Sequence, residues 1–330
     1  MRATRLVRFA STVSRSKSAI AFPGQGTQKP GLLKEFLTSH RQIVDPILKE
    51  TDEALGENLS QALVDEHTKY DVNETRNTQP ILVAYGYTMF QVVKHELEKQ
   101  GLPLPEYCLG HSLGEYSAYA SSGLLSYSTA IELVRKRAVA MSEATSAYPA
   151  PTSMVAVLTL GHDAAALRDI VAGIPNCSLA IINGPSQMVL SGDSRSIRLA
   201  LDRITTSLKL KRPFRTKALQ VSGPFHSPIM APARKYMESI VDDYKLNWPP
   251  SMGIVSNISG KLFSDEQEVY HSIINTPVEP VLWAPSISFL PTLGVDKIYS
   301  IGSTSFVKSA LSKGEATEVV QIDGPSTLSL

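Results

Sequence analysis

The order of apolar and polar positions along the chain predicts a mixed α/β protein. Residues 18–22 form a short apolar run that ends in the sequence PGQG, which is typical of a strand followed by a tight turn. The longer apolar segment 80–97 predicts a buried helix, because Pro80 stands where the first turn of a helix tolerates proline. A further strand is expected at 107–109 and a further helix at 126–144.

Residues 153–219 show a second pattern, in which short apolar runs alternate with amphipathic segments. Strands are expected at 154–160, 179–182, 188–191 and 214–221, and helices at 164–172 and 194–208. The order strand–helix–strand–strand–helix–strand is that of a ferredoxin-like unit. Returning core strands are expected at 255–258 and 298–301. The chain therefore reads as an α/β domain interrupted by an α+β insertion.

Composition narrows the function classes. Of 330 residues, 43% are hydrophobic and 19% are charged, which is ordinary for a folded protein and excludes disorder of the whole chain. The formal net charge of +1 gives no global electrostatic reason to expect a nucleic-acid partner. With only Cys108 and Cys177 present, a disulfide framework and a cysteine-rich metal site are excluded. No uncharged apolar run reaches the length of a membrane span.

Residues 1–20 differ in composition from the rest of the chain. They contain five basic residues, several serines and no acidic residue, which is typical of a mitochondrial transit peptide. The alternative is a disordered basic tail on a cytosolic protein. We expect a location in the mitochondrial matrix, with a transit peptide at 1–20, a catalytic domain at 21–150 and 220–330, and a ferredoxin-like subdomain at 151–219.

A nucleophile elbow is predicted at Gly110-x-Ser112-x-Gly114, which follows an apolar strand and precedes a helical pattern. The glycines are needed because the turn is too tight for a Cβ atom on either side. Ser112 would then stand at the start of a helix, where backbone N–H groups stabilise an oxyanion. The alternative is a plain tight turn. Glu115 is most simply an acid in the first turn of that helix, and His111 a packed histidine.

A serine nucleophile needs a base, and His226 is the candidate. It lies in a largely uncharged, proline-containing loop after a strand, where functional residues are concentrated. The other histidines are His40, His67, His95, His111, His162 and His271, and most of them stand in helical or polar stretches that are typical of the surface.

Seven sequence blocks in order resemble the malonyl-CoA:acyl-carrier-protein transacylases, a family that includes the acyltransferase domains of fatty-acid and polyketide synthases. The blocks are FPGQGTQ at 22–28, TQP at 78–80, GHSLGEY at 110–116, Arg137 with Met141, PFHS at 224–227 with Met230, VSN at 255–257, and PVLW at 280–283. They extend over residues 19 to about 315. The resemblance implies an α/β-hydrolase-like core domain with an inserted ferredoxin-like subdomain.

The resemblance also implies the catalytic groups. Ser112 would be the nucleophile and His226 its base, and the backbone N–H groups of Gln25 and Leu113 would form the oxyanion hole. In the family a main-chain carbonyl orients the histidine in place of a carboxylate, and we assign that carbonyl to Leu282. The result would be a Ser–His dyad, a variant of the catalytic triad.

Substrate contacts follow from the same resemblance. Arg137 would hold a free carboxylate of the substrate by two parallel hydrogen bonds, which an uncharged acyl group could not use. Composition alone favours the alternative of a solvated arginine in the basic run RKR. The acyl pocket is expected to include Gln79, Met141, Asn183, Phe225 and Asn257. Of these, the ring of Phe225 is expected to block an α-branch on the acyl group.

We therefore expect malonyl transfer from malonyl-CoA to the 4′-phosphopantetheine thiol of an acyl carrier protein in mitochondrial fatty-acid synthesis, with ping-pong kinetics. A monomer without a permanently bound cofactor or metal is expected. One alternative is a non-enzymatic carrier-binding protein. The other is a serine esterase or thioesterase, whose triad acid would have to be one of Asp163, Asp169, Asp193 and Asp202.

Five basic residues lead from the inserted subdomain towards the His226 loop and form an expected docking face for the carrier: Lys209, Lys211, Arg212, Arg215 and Lys217. That the carrier is acidic is implied by the resemblance. The alternative is a solvated helix end and turn with no partner.

Overall fold

The protein is described by a computed structural model over residues 16–311 and 316–330. The strands are β1 (Lys17–Phe22), β2 (Tyr107–Gly110), β3 (Thr152–Leu158), β4 (Cys177–Gly184), β5 (Gln187–Asp193), β6 (Arg215–Ala218), β7 (Gly253–Val255), β8 (Val295–Ile301) and β9 (Glu318–Ile322). The α-helices are α1 (Phe36–Ser39), α2 (Arg41–Leu55), α3 (Gln61–Val64), α4 (Thr75–Lys99), α5 (Gly114–Ser121), α6 (Tyr127–Ala147), α7 (Ala164–Val171), α8 (Ser194–Ser207), α9 (Ala231–Ile240), α10 (Glu266–Asn275), α11 (Trp283–Phe289) and α12 (Ser305–Lys308). Short 3-10 helices occupy Pro228–Met230, Val241–Asp243, Leu290–Leu293 and Pro325–Thr327.

A parallel sheet of order β7-β2-β1-β8-β9 forms the core. Its central strand β1 has both faces buried. Ile20 and Phe22 belong to a hydrophobic cluster that includes much of α4, whereas Ala19 and Ala21 belong to a second cluster with residues of α6, α9 and α11. A parallel strand that is covered on both faces shows a continuous apolar run, which explains the pattern at 18–22.

The carboxyl ends of β1 and β2 lie side by side, and this places the functional site. Phe22, the last residue of β1, is paired with Gly110, the last residue of β2. The backbone N–H of His111 then donates to the carbonyl of Phe22 at 2.9 Å. The PGQG turn after β1 and the glycine-rich turn after β2 therefore meet at one edge of the sheet, where open α/β sheets usually carry their sites.

The inserted subdomain has its own antiparallel sheet of order β4-β5-β3-β6, with α7 and α8 packed in a separate hydrophobic cluster. The predicted strand–helix–strand–strand–helix–strand order is confirmed. β4 also contacts the core, because Val281 donates to the carbonyl of Ala180 at 2.9 Å and Ile182 donates to the carbonyl of Val281 at 3.0 Å. The subdomain is thus hydrogen-bonded to the core at Val281, just before α11.

The boundary predicted at residue 20 for a transit peptide is wrong. β1 begins at Lys17, and Ser18, Ala19 and Ile20 are buried in the middle of the parallel sheet. Removal of residues 1–20 would take most of the central strand, so any leader must end before Lys17. The greater part of the predicted leader, residues 1–15, lies outside the described residues.

Several elements differ from the sequence-based expectations. β7 and β8 begin earlier than predicted, and the polar residues before Pro80 already belong to α4. Four elements were not predicted at all: β9, α10, α11 and α12. The helix expected at 126–144 is capped by Ser126, whose hydroxyl accepts the backbone N–H of Thr129 at 3.1 Å. No helix within residues 16–311 and 316–330 is long and apolar enough to cross a membrane.

Candidate active site

The turn between β2 and α5 is a tight elbow that presents Ser112. Ser112 has a φ of 51°, in the left-handed region that side chains other than glycine rarely adopt. A Cβ on Gly110 would lie 1.9 Å from the backbone carbon of Gly114, and one on Gly114 would lie 2.7 Å from the carbonyl oxygen of Pro23. Both glycines are therefore required by close backbone contact, as the sequence predicts.

Ser112 and His226 form a hydrogen-bonded pair. The distance between Ser112 Oγ and His226 Nε2 is 2.8 Å. On the other side of the ring, Nδ1 lies 2.8 Å from the carbonyl of Thr276 and 3.1 Å from that of Glu279. Carbonyl oxygens only accept hydrogen bonds, so Nδ1 carries the proton and Nε2 is free to accept the proton of the Ser112 hydroxyl.

The assignment of Leu282 as the orienting carbonyl is wrong, although a main-chain carbonyl does orient His226. Leu282 precedes the first turn of α11, and its carbonyl accepts the backbone N–H of Ser286 at 2.9 Å and the Ser286 hydroxyl at 2.7 Å. The end of α10 and the loop after it provide the orienting groups from Thr276 and Glu279 instead.

The surroundings of His226 keep its imidazole neutral. The side chain is 2% exposed, and burial, followed by the positive charge of Arg137 and the neighbouring His111, lowers the pKa of His226 to about 3. Low dielectric and a nearby cation both disfavour an imidazolium ion. A neutral histidine with a free Nε2 is the form that can act as a base.

Arg137 is buried beside this pair. It is 1% exposed, and its Nη1 donates to Gln79 Oε1 at 2.8 Å. Its Nε and Nη2 have no hydrogen-bond partner, and no carboxylate pairs with it, in the part of the chain that the structure describes. The alternative of a solvated arginine is excluded. A buried guanidinium with free donors is costly unless an anion binds to it.

A narrow cleft, with a cavity volume of about 60 Å³, joins these groups. Its lining residues are Gln25, Gln79, His111, Ser112, Leu113, Arg137, Met141, Met154, Ile181, Leu219, Val221, Phe225 and His226. Both proposed oxyanion-hole residues are among them. The N–H of Ser112 itself donates to Asn257 Oδ1 at 2.9 Å and is not available to an oxyanion.

The five predicted pocket residues divide into two groups. Gln79, Met141 and Phe225 line the cleft. Asn183 and Asn257 do not, which corrects their assignment. Asn183 Oδ1 lies 3.1 Å from His111 Nε2, behind the cleft wall. Asn257 lies beneath the elbow, where its Nδ2 donates to the Gly110 carbonyl at 2.7 Å. Both amides therefore make hydrogen bonds to residues of the elbow, which they support.

Glu115 is the residue that sequence reasoning missed. It was interpreted as a first-turn acid, but it is 1% exposed and accepts three hydrogen bonds from Asn257 and Ser272. The signal was present in α5, whose sequence GEYSAYAS is rich in small residues, and all eight of those residues are buried. His111, in contrast, is packed as predicted, with its ring 5.2 Å from that of Trp283.

None of the four aspartates of the alternative triad contacts His226. Asp163 and Asp193 cap α7 and α8, while Asp169 and Asp202 are exposed on those helices. The described residues also contain no group of three or more His, Cys, Asp and Glu arranged to hold a metal ion. The chemistry available at the cleft is therefore that of a serine, a neutral histidine and a buried cation.

The chain is similar to known proteins across its length. It matches the acyl transferase domain family over residues 20–301. It is 31% identical to the malonyl CoA-acyl carrier protein transacylase of Bacillus subtilis, over 96% of each chain. It is 30% identical to that of Salmonella typhimurium, over 86% of this chain and 88% of the relative. A malonyl-transacylase solved in complex with its type II PKS acyl-carrier protein superposes with a TM-score of 0.82 and 25% identity, over 95% of this chain and 98% of that one.

These matches span the elbow, Arg137 and the His226 loop together. Because the family match covers most of the sequence and the fold agrees, the chain belongs to the acyl transferase family and is a relative of its malonyl CoA-acyl carrier protein transacylases.

Proposed function

We propose that this protein transfers a malonyl group from malonyl-CoA to the phosphopantetheine thiol of an acyl carrier protein through an ester on Ser112. The observation that carries the proposal is the buried Arg137, which lines the cleft that holds Ser112 and His226 and whose Nε and Nη2 have no hydrogen-bond partner among the described residues. A malonyl group brings a carboxylate that matches these donors, whereas an acetyl or longer alkyl acyl group leaves them unpaired.

The first half-reaction forms the acyl-enzyme. Ser112 Oγ attacks the thioester carbonyl carbon while its proton passes to His226 Nε2, and the negative charge that develops on the carbonyl oxygen is held by the N–H groups of Gln25 and Leu113. The carbon–sulfur bond breaks, and the departing CoA sulfur takes the proton from His226. A malonyl ester on Ser112 remains, and the carbonyls of Thr276 and Glu279 hold the imidazole in place.

The second half-reaction transfers the group to the carrier. The phosphopantetheine thiol gives its proton to His226 Nε2 and attacks the same carbonyl carbon. The ester bond breaks, and Ser112 Oγ recovers the proton from the imidazole. The two substrates use one serine in turn, so ping-pong kinetics are expected. The structural neighbour, a malonyl-transacylase solved in complex with an acyl-carrier protein, supports a carrier as the second substrate.

Radiolabelled malonyl-CoA tests the reaction. We expect label on Ser112 in the absence of a carrier, and its transfer to holo carrier protein on addition. Ser112→Ala should abolish labelling, and Arg135→Ala, which changes an arginine whose partners lie outside the cleft, should not. Release of free malonate at the same rate with and without a carrier would indicate a hydrolase, and an unlabelled protein would indicate a binding function only.

We further propose that the protein works in mitochondrial fatty-acid synthesis. The support is the basic, serine-rich and acid-free composition of the residues before β1. Fusion of residues 1–16 to a fluorescent protein is expected to direct it to the matrix. Replacement of the four arginines in that segment by glutamine should keep the fusion in the cytosol, and matrix delivery of that variant would contradict the proposal.

A further inference from the structure

A buried carboxylate beneath the elbow takes no part in the two half-reactions. Glu115 stands in the first turn of α5, and its oxygens accept hydrogen bonds from different parts of the chain. Oε1 accepts the backbone N–H of Asn257 at 2.8 Å and its Nδ2 at 3.0 Å, and Oε2 accepts the Ser272 hydroxyl at 2.9 Å. Burial raises the pKa of the Glu115 carboxyl, and these hydrogen bonds oppose that shift.

One oxygen of Glu115 acts towards the nucleophile. Asn257, which it holds, bridges Gly110 and Ser112 in the elbow. Its Oδ1 accepts the N–H of Ser112 at 2.9 Å, and its Nδ2 donates to the carbonyl of Gly110 at 2.7 Å. Because Ser112 has a left-handed backbone conformation that costs free energy, it persists only where its surroundings fix it.

The other oxygen acts towards the base. Ser272 lies in the last turn of α10, and its carbonyl accepts the N–H of Thr276 at 2.9 Å. The carbonyl of Thr276 then accepts the Nδ1 proton of His226 at 2.8 Å. Glu115 therefore stands between two short chains of hydrogen bonds, one that ends at Ser112 and one that ends at His226.

We infer that Glu115 is a positioning residue that sets the placement of Ser112 relative to His226, with one carboxylate oxygen acting on each. The inference rests on the proposed function for the identity of the substrate, but the geometry that Glu115 controls is that of the Ser112–His226 pair itself. Proton transfer between Oγ and Nε2 needs the observed hydrogen-bond distance of 2.8 Å, and a displacement of about 1 Å costs roughly 100-fold in rate.

Three variants at one position test this role. Glu115→Ala removes the hydrogen bonds to both Asn257 and Ser272. Glu115→Gln preserves them, because its amide oxygen can accept from Asn257 and its NH2 can donate to the Ser272 hydroxyl. We expect Glu115→Ala to lower the rate of Ser112 acylation by about 100-fold and Glu115→Gln by less than about tenfold. The Kd for malonyl-CoA should change less than about threefold in both, because Arg137 is untouched.

A matched control comes from Glu96, a second largely buried glutamate whose partners His40 and Lys99 lie outside the cleft. Glu96→Ala should lose thermal stability and keep its acylation rate. Should Glu115→Ala fail to fold, Glu115→Asp takes its place, since it keeps the charge and shortens the reach by one methylene group. A loss of at least about tenfold in acylation is then expected, and full activity overturns the inference.

A second probe separates this inference from the proposed function. Phenylmethanesulfonyl fluoride needs an activated serine but no malonyl group, so its rate of reaction with Ser112 reports the Ser112–His226 geometry alone. If malonyl-CoA does not label the wild-type protein, the proposed function fails, and the sulfonyl fluoride rates still test Glu115. The inference is overturned if folded Glu115→Ala reacts as fast as wild type, or if Glu115→Gln is as slow as Glu115→Ala.

Discussion

Arg137 and His226 line the same cleft, and the charge of Arg137 contributes, after burial, to the low pKa of His226. The guanidinium is fixed and buried, and its positive charge contributes to the lowered pKa of His226. A bound carboxylate would neutralise that charge, so occupation of the site by an anion should make His226 a better proton acceptor. Substrate recognition and base strength are therefore linked through one pair of side chains.

Arg137→Ala is expected to lower malonyl transfer far more than acetyl transfer. A hydrogen bond to a charged group contributes about 1.5–3 kcal/mol, so the loss for the malonyl group should be between roughly tenfold and more than 100-fold. The measurement is kcat/KM for malonyl-CoA and acetyl-CoA with the same carrier. Arg135→Ala serves as the control, because Arg135 lies on the same helix as Arg137 but pairs with Glu57, away from the cleft. Equal losses for both acyl groups would contradict the assignment.

Ser112 should lose reactivity at low pH, and the midpoint of this acid limb should lie well below the ordinary histidine pKa of about 6.5. With the pKa of His226 lowered to about 3, the imidazole stays neutral as the pH falls through 6.5 and gains a proton only near the lowered value. The rate of sulfonyl fluoride inactivation against pH measures this directly. A midpoint near 6.5 in the wild-type protein would show that His226 is more solvated than the structure indicates.

In Arg137→Ala the same acid limb should move to higher pH. Removal of a nearby positive charge favours the imidazolium ion and raises the pKa of His226. Sulfonyl fluoride inactivation is again suitable, because the probe carries no charge for Arg137 to bind. A shift to lower pH, or a shift of the same size in Arg135→Ala, would mean that the charge of Arg137 does not reach His226.

The elements around the site depend on backbone contacts more than on side-chain chemistry. β2, the elbow and α5 fit together only because two glycines let strand and helix backbones touch. Gly110→Ala should therefore prevent correct folding of the elbow, with loss of soluble protein or a fall in Tm far beyond that of Gly123→Ala. Gly123 also lies near α5, but a Cβ there meets open space and costs only the left-handed backbone conformation, about 1–2 kcal/mol.

The comparison of Gly110→Ala with Gly123→Ala is made by calorimetry and by labelling of Ser112. Similar Tm values for the two variants would show that the close approach of Gly110 to Gly114 is relaxed at little cost. Retained labelling in a folded Gly110→Ala protein would show that the geometry of Ser112 also tolerates a Cβ atom at position 110.

The sequence was sufficient to predict elements that have a strong local pattern. It was insufficient to predict those that are held by contacts distant in sequence. Ser112 and the glycines around it are visible because the turn itself requires them. The carbonyls that orient His226 carry no side-chain signal, and for that reason Leu282 was chosen wrongly. Helix α10 was missed although Asp265, which caps it, is followed three positions later by Glu268, a known sign of a helix start. The burial of Arg137 and Glu115 depends on neighbours that are far away in sequence.

At the scale of the whole molecule, the basic residues predicted as a docking face are all exposed. Lys209, Lys211 and Arg212 follow α8, and Arg215 and Lys217 lie on β6, which is an edge strand of the inserted sheet. No described carboxylate forms an ion pair with any of the five. They remain available to an acidic partner, and docking of the carrier on this face stays a prediction.

Charge reversal at Lys211 and Arg212 should raise KM for the carrier and weaken its salt dependence, while acylation by malonyl-CoA stays unchanged. Complementary charges mainly increase the rate of association and are screened by salt, and the two half-reactions share a serine but not a docking surface. The control is the same reversal at Lys245 and Lys261, two exposed lysines outside the inserted subdomain. A carrier KM equal to that of wild type would place the docking surface elsewhere.

The position of β1 at the centre of the sheet has a consequence for synthesis of the protein. β1 is the first strand to leave the ribosome, but its neighbour β8 is nearly the last, with Ala19 paired to Ile298. At a translation rate of about 5–20 residues per second, one edge of β1 stays unpaired for roughly 15–55 s before β8 is synthesised. During that time an apolar strand with unpaired backbone groups is open to wrong pairing with other chains. The nascent protein is thus expected to depend on chaperones until β8 has emerged, and a ribosome stall before β8 should yield aggregates in place of a stable intermediate.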